Sequence, residues 1–324
     1  MSDEVAILAD PEGKCYGFAK KVYQYIVEKP ERDFPVRFVN IEIKRFRDRE
    51  EKVRITENIR KKQCYFIHDS SKEPAYWFTE LALINETLHS SAASEIVDVL
   101  PYLKFARQDR KDESRTSQNA KVVAELISKY ADRCISVDVH APQIQGFFGI
   151  PFDNLYSFPT VVEYLYKNHK SFLENIVVMS PDRGGVERAT SFKNKLAKKG
   201  IEASLAIGYK SRPKPGEVSE KYEILGEVKG KNVLIVDDII DSGGTLCRAA
   251  DALRKKHAKA IWAYATHGLF TEGTRAVTRK LDKVLVSDTI YNKRSRKLEI
   301  ISLAELFGEA IYRAIKGESI SELF

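Results

Sequence analysis

The sequence predicts an α/β protein built on largely parallel sheets, and three observations carry that expectation. Short β-branched runs alternate with amphipathic stretches along the whole chain, the pattern of right-handed strand–helix–strand units. Several runs, Val233-Leu234-Ile235-Val236 among them, are apolar at every position, as strands covered on both faces are. The chain has 324 residues, 43% of them apolar, enough for a real core and for about two domains of roughly 150 residues each.

In chain order, an apolar run predicts a strand over 5–8, and the amphipathic stretch after it a helix over 16–27. The same alternation gives strands over 36–43 and 64–68, a helix over 75–87, a strand over 95–100, a helix over 120–130 and a strand over 134–139. It resumes with a helix over 161–166, a strand over 176–179, a helix over 186–197, and strands over 203–207 and 233–236. A helix over 245–256, strands over 260–265 and 283–287, and an amphipathic packing helix over 303–315 complete the order. Gly149-Ile150-Pro151 falls roughly halfway, after one full run of units, and divides the chain into domains 1–151 and 152–324. Each half carries an acidic strand end followed by a loop, Asp138-Val139-His140 and Asp237-Asp238, which is compatible with an old duplication.

Composition excludes several classes. The net charge is +7, from 53 basic and 46 acidic residues, and its local excess lies beside acids, as in Lys44-Arg45-Phe46-Arg47-Asp48-Arg49-Glu50. That pattern lacks the basic helix or stacking motif of a nucleic-acid binder and suits a phosphate-rich small substrate instead. No run approaches the ~18 apolar residues of a membrane span, and the acidic start lacks secretory features, so a soluble chain is expected. The four cysteines are widely spaced with no Cys-x-x-Cys pair; they read as free thiols in a reducing cytoplasm.

The most informative segment is Asp237-Asp238-Ile239-Ile240-Asp241-Ser242-Gly243-Gly244-Thr245. A buried strand ends in two carboxylates, and a turn of small residues feeds a helix. Ligands of open α/β sheets bind at the carboxyl ends of strands. Small residues let backbone N–H groups approach a phosphate, helped by the new helix N-terminus. Paired carboxylates repel a phosphate but accept hydrogen bonds from the vicinal hydroxyls of a sugar. Together they spell a sugar phosphate. An ordinary strand–helix turn explains the glycines but not the two acids.

This segment resembles the phosphoribosyl diphosphate (PRPP) motif shared by type I phosphoribosyltransferases and PRPP synthetases. Asp138-Val139-His140-Ala141-Pro142-Gln143-Ile144-Gln145-Gly146-Phe147-Phe148 is similar to the Asp-x-His-Ala-x-Gln-Ile-Gln-Gly-Phe-Phe stretch of the ribose-phosphate diphosphokinases, the PRPP synthetases. The likeness spreads to Ala106-Arg107-Gln108-Asp109-Arg110-Lys111, Ser180-Pro181-Asp182-Arg183-Gly184-Gly185 and the basic stretch Lys210-Ser211-Arg212. Alone, these would read as a solvated charge run, a capped helix start and a linker loop.

The resemblance implies two phosphoribosyltransferase-type (type I) domains, each with a mainly parallel sheet flanked by helices. It implies transfer of the β,γ-diphosphoryl group of Mg-ATP to the 1-hydroxyl of ribose 5-phosphate, giving PRPP and AMP for nucleotide biosynthesis. Asp237, Asp238, Asp241, Ser242, Gly243, Gly244 and Thr245 would then hold ribose 5-phosphate. Arg107, Gln108 and His140 would contact ATP, His140 and Asp182 would position Mg²⁺, and Lys210 and Arg212 would act in catalysis. Phe46, Asp48 and Glu50 match a family segment that reaches a neighbouring subunit's nucleotide site, which implies self-association as a dimer or a larger ring such as a hexamer. Arg47 and Arg49 replace small residues there, and Arg49 stands where the family has glycine. The local backbone must avoid a positive φ or accept strain; Phe46 reads equally well as a core residue. Two rivals are a type I phosphoribosyltransferase consuming PRPP and a non-catalytic PRPP-synthetase-associated regulatory protein. Against the second, Lys210-Ser211-Arg212 carries no insertion.

Overall fold

The structure is a computed structural model that describes residues 4–211 and 221–324. The chain forms two compact units. The first holds the residues up to Tyr156 together with Thr289–Tyr291 and Ser302–Phe324, and the second holds Ser157–Asp288 and Asn292–Ile301.

The first unit contains a seven-stranded sheet of β1 (Val5–Ala9), β2 (Val36–Arg45), β3 (Glu51–Ile55), β4 (Gln63–Ile67), β5 (Glu95–Leu100), β6 (Arg133–Val137) and β7 (Phe152–Leu155), in the order β3-β2-β1-β4-β5-β6-β7. Every pairing is parallel except the β2/β3 hairpin. Strand residues alternate between two cores, as a period of two requires. Val5, Ile7, Tyr65, Ile67, Val97 and Val99 join one; Ala6, Leu8, Cys64, Phe66, Ile96 and Leu100 join the other. Helices α2 (Pro74–Ser90) and α3 (Asn119–Tyr130) seal the second core with Trp77, Leu81, Ile84, Val123 and Ile127.

The second unit repeats the plan with β8 (Ile176–Ser180), β9 (Ser204–Ser211), β10 (Lys221–Leu225), β11 (Asn232–Ile240), β12 (Ala260–Gly268), β13 (Lys283–Ser287) and β14 (Leu298–Ile301). Their order is β10-β9-β8-β11-β12-β13-β14, again with one antiparallel hairpin, β9/β10. The two sheets thus share one topology, in line with the duplication. Helices α4 (Phe158–Asn168) and α5 (Val186–Ala197) cover one face, α6 (Gly244–Lys255) and α7 (Arg275–Lys280) the other.

A difference from the linear division at 151/152 lies at the chain's end. In the second unit α4 precedes the first strand and helps α5 cover a sheet face. In the first unit α1 (Tyr16–Val27) takes a partner of the same kind. The last helix, α8 (Ala304–Lys316), supplies it: Phe307 meets Phe18 edge-on at 5.5 Å, and Tyr25 donates to Glu309 at 2.9 Å. A β-carbon at Gly308 would lie 2.6 Å from Tyr25 Cδ1, so the two helices touch because that position carries no side chain.

Candidate active site

In the second unit β11 runs through the middle of the sheet, between β8 and β12. Sequence reasoning ends this strand at Val236. Pairing with β12 carries it four residues further, to Ile240 opposite Gly268. Asp237 and Asp238 therefore stand on the strand itself, one half-buried and the other buried. Asp237 Oδ1 accepts the Asp238 backbone N–H at 2.9 Å and Arg188 Nη1–H at 3.1 Å, while Arg188 Nη2 lies 3.2 Å from Asp238 Oδ1. Arg188, on the first turn of α5, spans both acids. Burial and then the Asp238 charge push the Asp237 carboxyl well above its ordinary range, and Arg188 opposes them.

The turn after β11 has the backbone that a phosphate cradle needs. Gly243 sits at φ +79°, and a β-carbon there would fall 2.1 Å from Val277 Cγ2. Asp241 Oδ1 accepts the Thr271 hydroxyl at 2.6 Å, which ties the turn to the loop after β12. Helix α6 starts at Gly244, whose N–H makes only a long bond to Ser242 Oγ at 3.4 Å, and Thr245 Oγ1 accepts from Arg248 at 3.3 Å. The positive end of a 12-residue helix thus opens where the sequence places the anion.

Asp182 lies exposed on the β8–α5 loop. Its Oδ1 accepts the Gly185 N–H at 3.0 Å, while Ser180 Oγ–H donates to its carbonyl at 2.6 Å. The carboxylate organises the start of α5, and a carboxylate has a second oxygen for a cation. The sequence places Lys210 on a loop; its backbone instead belongs to β9, paired with Tyr222 of β10. Arg212 lies outside the described residues, as does the rest of that basic stretch to 220.

In the first unit, Arg107 and Gln108 follow β5, and His140 follows the neighbouring β6. Gln143 Nε2–H donates to Asp109 Oδ2 at 2.7 Å and joins the two loops. Gln108 donates to the Arg110 carbonyl and to Asp112 Oδ1 at 3.1 and 3.0 Å. Arg107 and His140 are both exposed. Strain collects on this rim: Phe105 has φ +64° and Asp138 φ +43°.

Phe46, Asp48 and Glu50 are not brought to that rim. They form the tip of the β2/β3 hairpin, closed by Phe46 N–H to the Glu50 carbonyl at 2.8 Å and Glu50 N–H to Asp48 Oδ1 at 3.1 Å. Arg49 takes φ +75°, so the loop accepts the strain that its missing glycine would have avoided. Phe46 is 56% exposed, which removes the core reading. Strands β1 and β4 separate β2 from β5, a spacing of about 14 Å.

Sequence reasoning missed Arg188. It belongs to no motif, and only its place just past Gly184-Gly185 hinted at a strand-end role. It also missed what fills the corresponding crevice of the first unit. There Lys72, after β4, holds Asp10 at 2.7 Å and the buried Glu80 at 2.5 Å. At this end of the first sheet an internal ammonium is thus held between two acids.

Comparison with known proteins agrees with this fold. Residues 14–130 match the N-terminal domain of ribose phosphate pyrophosphokinase, and residues 153–296 match the phosphoribosyl transferase domain. The chain is 43% identical to the ribose-phosphate pyrophosphokinase of Rhizobium meliloti (strain 1021) over 87% of its length and 91% of the relative's. It is 42% identical to that of Aquifex aeolicus (strain VF5), over 89% and 92%. The crystal structure of phosphoribosylpyrophosphate synthetase from Mycobacterium smegmatis superposes with a TM-score of 0.83 at 27% identity, covering 97% of this chain and 99% of that one. Two α/β units of one topology, an acid pair beside a glycine turn, and relatives matched almost end to end converge: the chain belongs to the ribose-phosphate pyrophosphokinase family.

Proposed function

We propose that the chain transfers the β,γ-diphosphoryl group of ATP to the 1-hydroxyl of ribose 5-phosphate, giving PRPP and AMP. The observation that carries this reading is the acid pair Asp237–Asp238 standing next to the open N-terminus of α6. Asp237 and Asp238 accept the ribose hydroxyls. Asp241, Ser242, Gly243, Gly244 and Thr245 hold the 5-phosphate, mainly through backbone N–H groups. Arg107, Gln108 and His140 bind the nucleotide on the first unit.

The 1-oxygen attacks the β-phosphorus in line. A new O–P bond forms, the bond from the β-phosphorus to the bridging oxygen breaks, AMP leaves with that oxygen, and the attacking hydroxyl loses its proton. Positive charge on the moving diphosphoryl group is the main demand, and Lys210 and Arg212 supply it. Magnesium neutralises the triphosphate oxygens when bound. His140 on the first unit and Asp182 on the second are each a candidate magnesium donor, Asp182 the better by chemistry, since Mg²⁺ prefers oxygen. Among the described residues no three His, Cys, Asp or Glu side chains cluster as a metal cage.

The exposed hairpin tip at Phe46, Asp48 and Glu50, remote from the Arg107 loop in its own sheet, supports service to a second copy of the chain. We therefore propose a dimer or larger ring. The nucleotide side falls to residues 1–151 and the ribose 5-phosphate side to 152–324, with α8 packing back on the first unit. Four free cysteines support a reducing cytoplasmic setting, and no helix among the described residues is long and apolar enough to cross a membrane. AMP release from ATP and ribose 5-phosphate, set against diphosphate release from PRPP and a base, tests the reading. AMP without diphosphate release is the expected result; the reverse would make the chain a phosphoribosyltransferase.

A further inference from the structure

We propose that Arg188 is a positioning residue that clamps Asp237 and Asp238 into one two-point acceptor, and so makes the site select ribose over its 2-deoxy analogue. The proposal rests on the ribose 5-phosphate reading of this site and adds to it the origin of sugar specificity.

The geometry is that of a bridge. Arg188 places Nη1 at 3.1 Å from Asp237 Oδ1 and Nη2 at 3.2 Å from Asp238 Oδ1. One planar guanidinium thus sets the spacing of two carboxylates, which an ammonium, a point charge on a flexible stem, cannot do. The three groups are withdrawn from water, with side-chain exposures of 22% for Arg188, 23% for Asp237 and 5% for Asp238. Adjacent carboxylates so placed repel each other, and Arg188 is the cation set against that repulsion. Around them stand Tyr222 from β10, which feels the charges of Asp182, Arg248 and Asp237, and His267 on β12 beside Ile239.

The loop is shaped to let the bridge form. A β-carbon at Gly185 would lie 2.7 Å from Ser180 Oγ and 3.5 Å from Arg188 Nη1. A side chain there would push α5, and Arg188 with it, away from β11. Two acids at fixed spacing match two neighbouring hydroxyls. A sugar that has lost one of them leaves a desolvated carboxylate without its donor, and such a mismatch is rejected more strongly than one of size alone.

The test measures dissociation constants of the full-length protein for ribose 5-phosphate and 2-deoxyribose 5-phosphate, in the wild type, R188Q and R188K, with thermal melting alongside. The wild type is expected to prefer ribose 5-phosphate by about tenfold or more. R188Q should lose most of that preference, through weaker ribose 5-phosphate binding and little change for the deoxy sugar. R188K, which keeps the charge without the fork, should fall between the two; it carries the test if R188Q does not fold. A variant that weakens both sugars equally, or keeps the wild-type preference, overturns the proposal. A wild-type protein that binds neither sugar instead removes the functional reading, and the proposal with it.

Discussion

Asn85 donates through Nδ2 to Asp98 Oδ2 at 2.7 Å, and the remaining oxygen of each side chain, Asn85 Oδ1 and Asp98 Oδ1, is buried with no partner. Both residues are fully buried, one on α2 and the other on β5. Two orphan acceptors on one amide–acid pair are satisfied together if Asp98 keeps its proton and donates it to Asn85. Burial pushes the Asp98 carboxyl up to about 7, and the Asn85 hydrogen bond opposes this only in part.

The first prediction follows from that proton. A carboxyl raised from 3.8 to about 7 on folding contributes stability that is full below about pH 4 and is lost as pH rises through about 7. The loss is on the order of 4 kcal/mol. Cys134, opposite Asp98 on β6 and itself raised by burial, carries no charge in this window. Asp98→Asn should flatten this part of the stability profile, measured by denaturant unfolding between pH 4 and 8. A variant whose profile parallels the wild type would mean Asp98 is ionised in the fold.

Gly243 and Gly244 make a paired experiment. At Gly243 a β-carbon meets Val277 at 2.1 Å and φ is +79°, whereas at Gly244 its nearest neighbour is 3.6 Å away. Gly243→Ala should cost about 2–4 kcal/mol from left-handed strain and overpacking and abolish sugar phosphate binding. Gly244→Ala should keep the fold. Calorimetric melting that ranks the two in the opposite order would refute this account of the turn.

The contact of α8 with α1 predicts that Gly308→Ala destabilises the protein, although alanine is the better helix former by about 1 kcal/mol. The added carbon lies 2.6 Å from the Tyr25 ring, and overpacking of this kind costs about 1–3 kcal/mol. Tyr25→Leu in the same chain should restore part of the loss. A gain in stability from Gly308→Ala alone would show that the helices separate freely.

Lys210→Ala should lower turnover by about a hundredfold or more while the melting temperature stays near that of the wild type. Steady-state AMP formation measures it, and near-normal turnover would take Lys210 out of the mechanism.

Much of this was legible in the residues. The central strands are continuously apolar, and their helices repeat at helical spacing, so β1, β4, β8, β11 and β12 could be read directly. The edge strands could not. Glu51–Ile55 and Phe152–Leu155 carry the charged and polar residues that protect a sheet edge, and they pair only because a neighbour offers its backbone. The C-terminal half of β11 was hidden for a similar reason: carboxylates are poor strand formers, and β12 holds Asp237 and Asp238 in place. The paired acids and the glycine turn were visible as local sequence. Arg188 was not, because it reaches them from a helix 49 positions earlier in the chain.

A crystal structure with ribose 5-phosphate bound is the most direct measurement. The account predicts the sugar's vicinal hydroxyls on Asp237 and Asp238, with the phosphate against the N–H groups of residues 242–245. Both acids facing bulk water, with the sugar phosphate seated elsewhere, would contradict it.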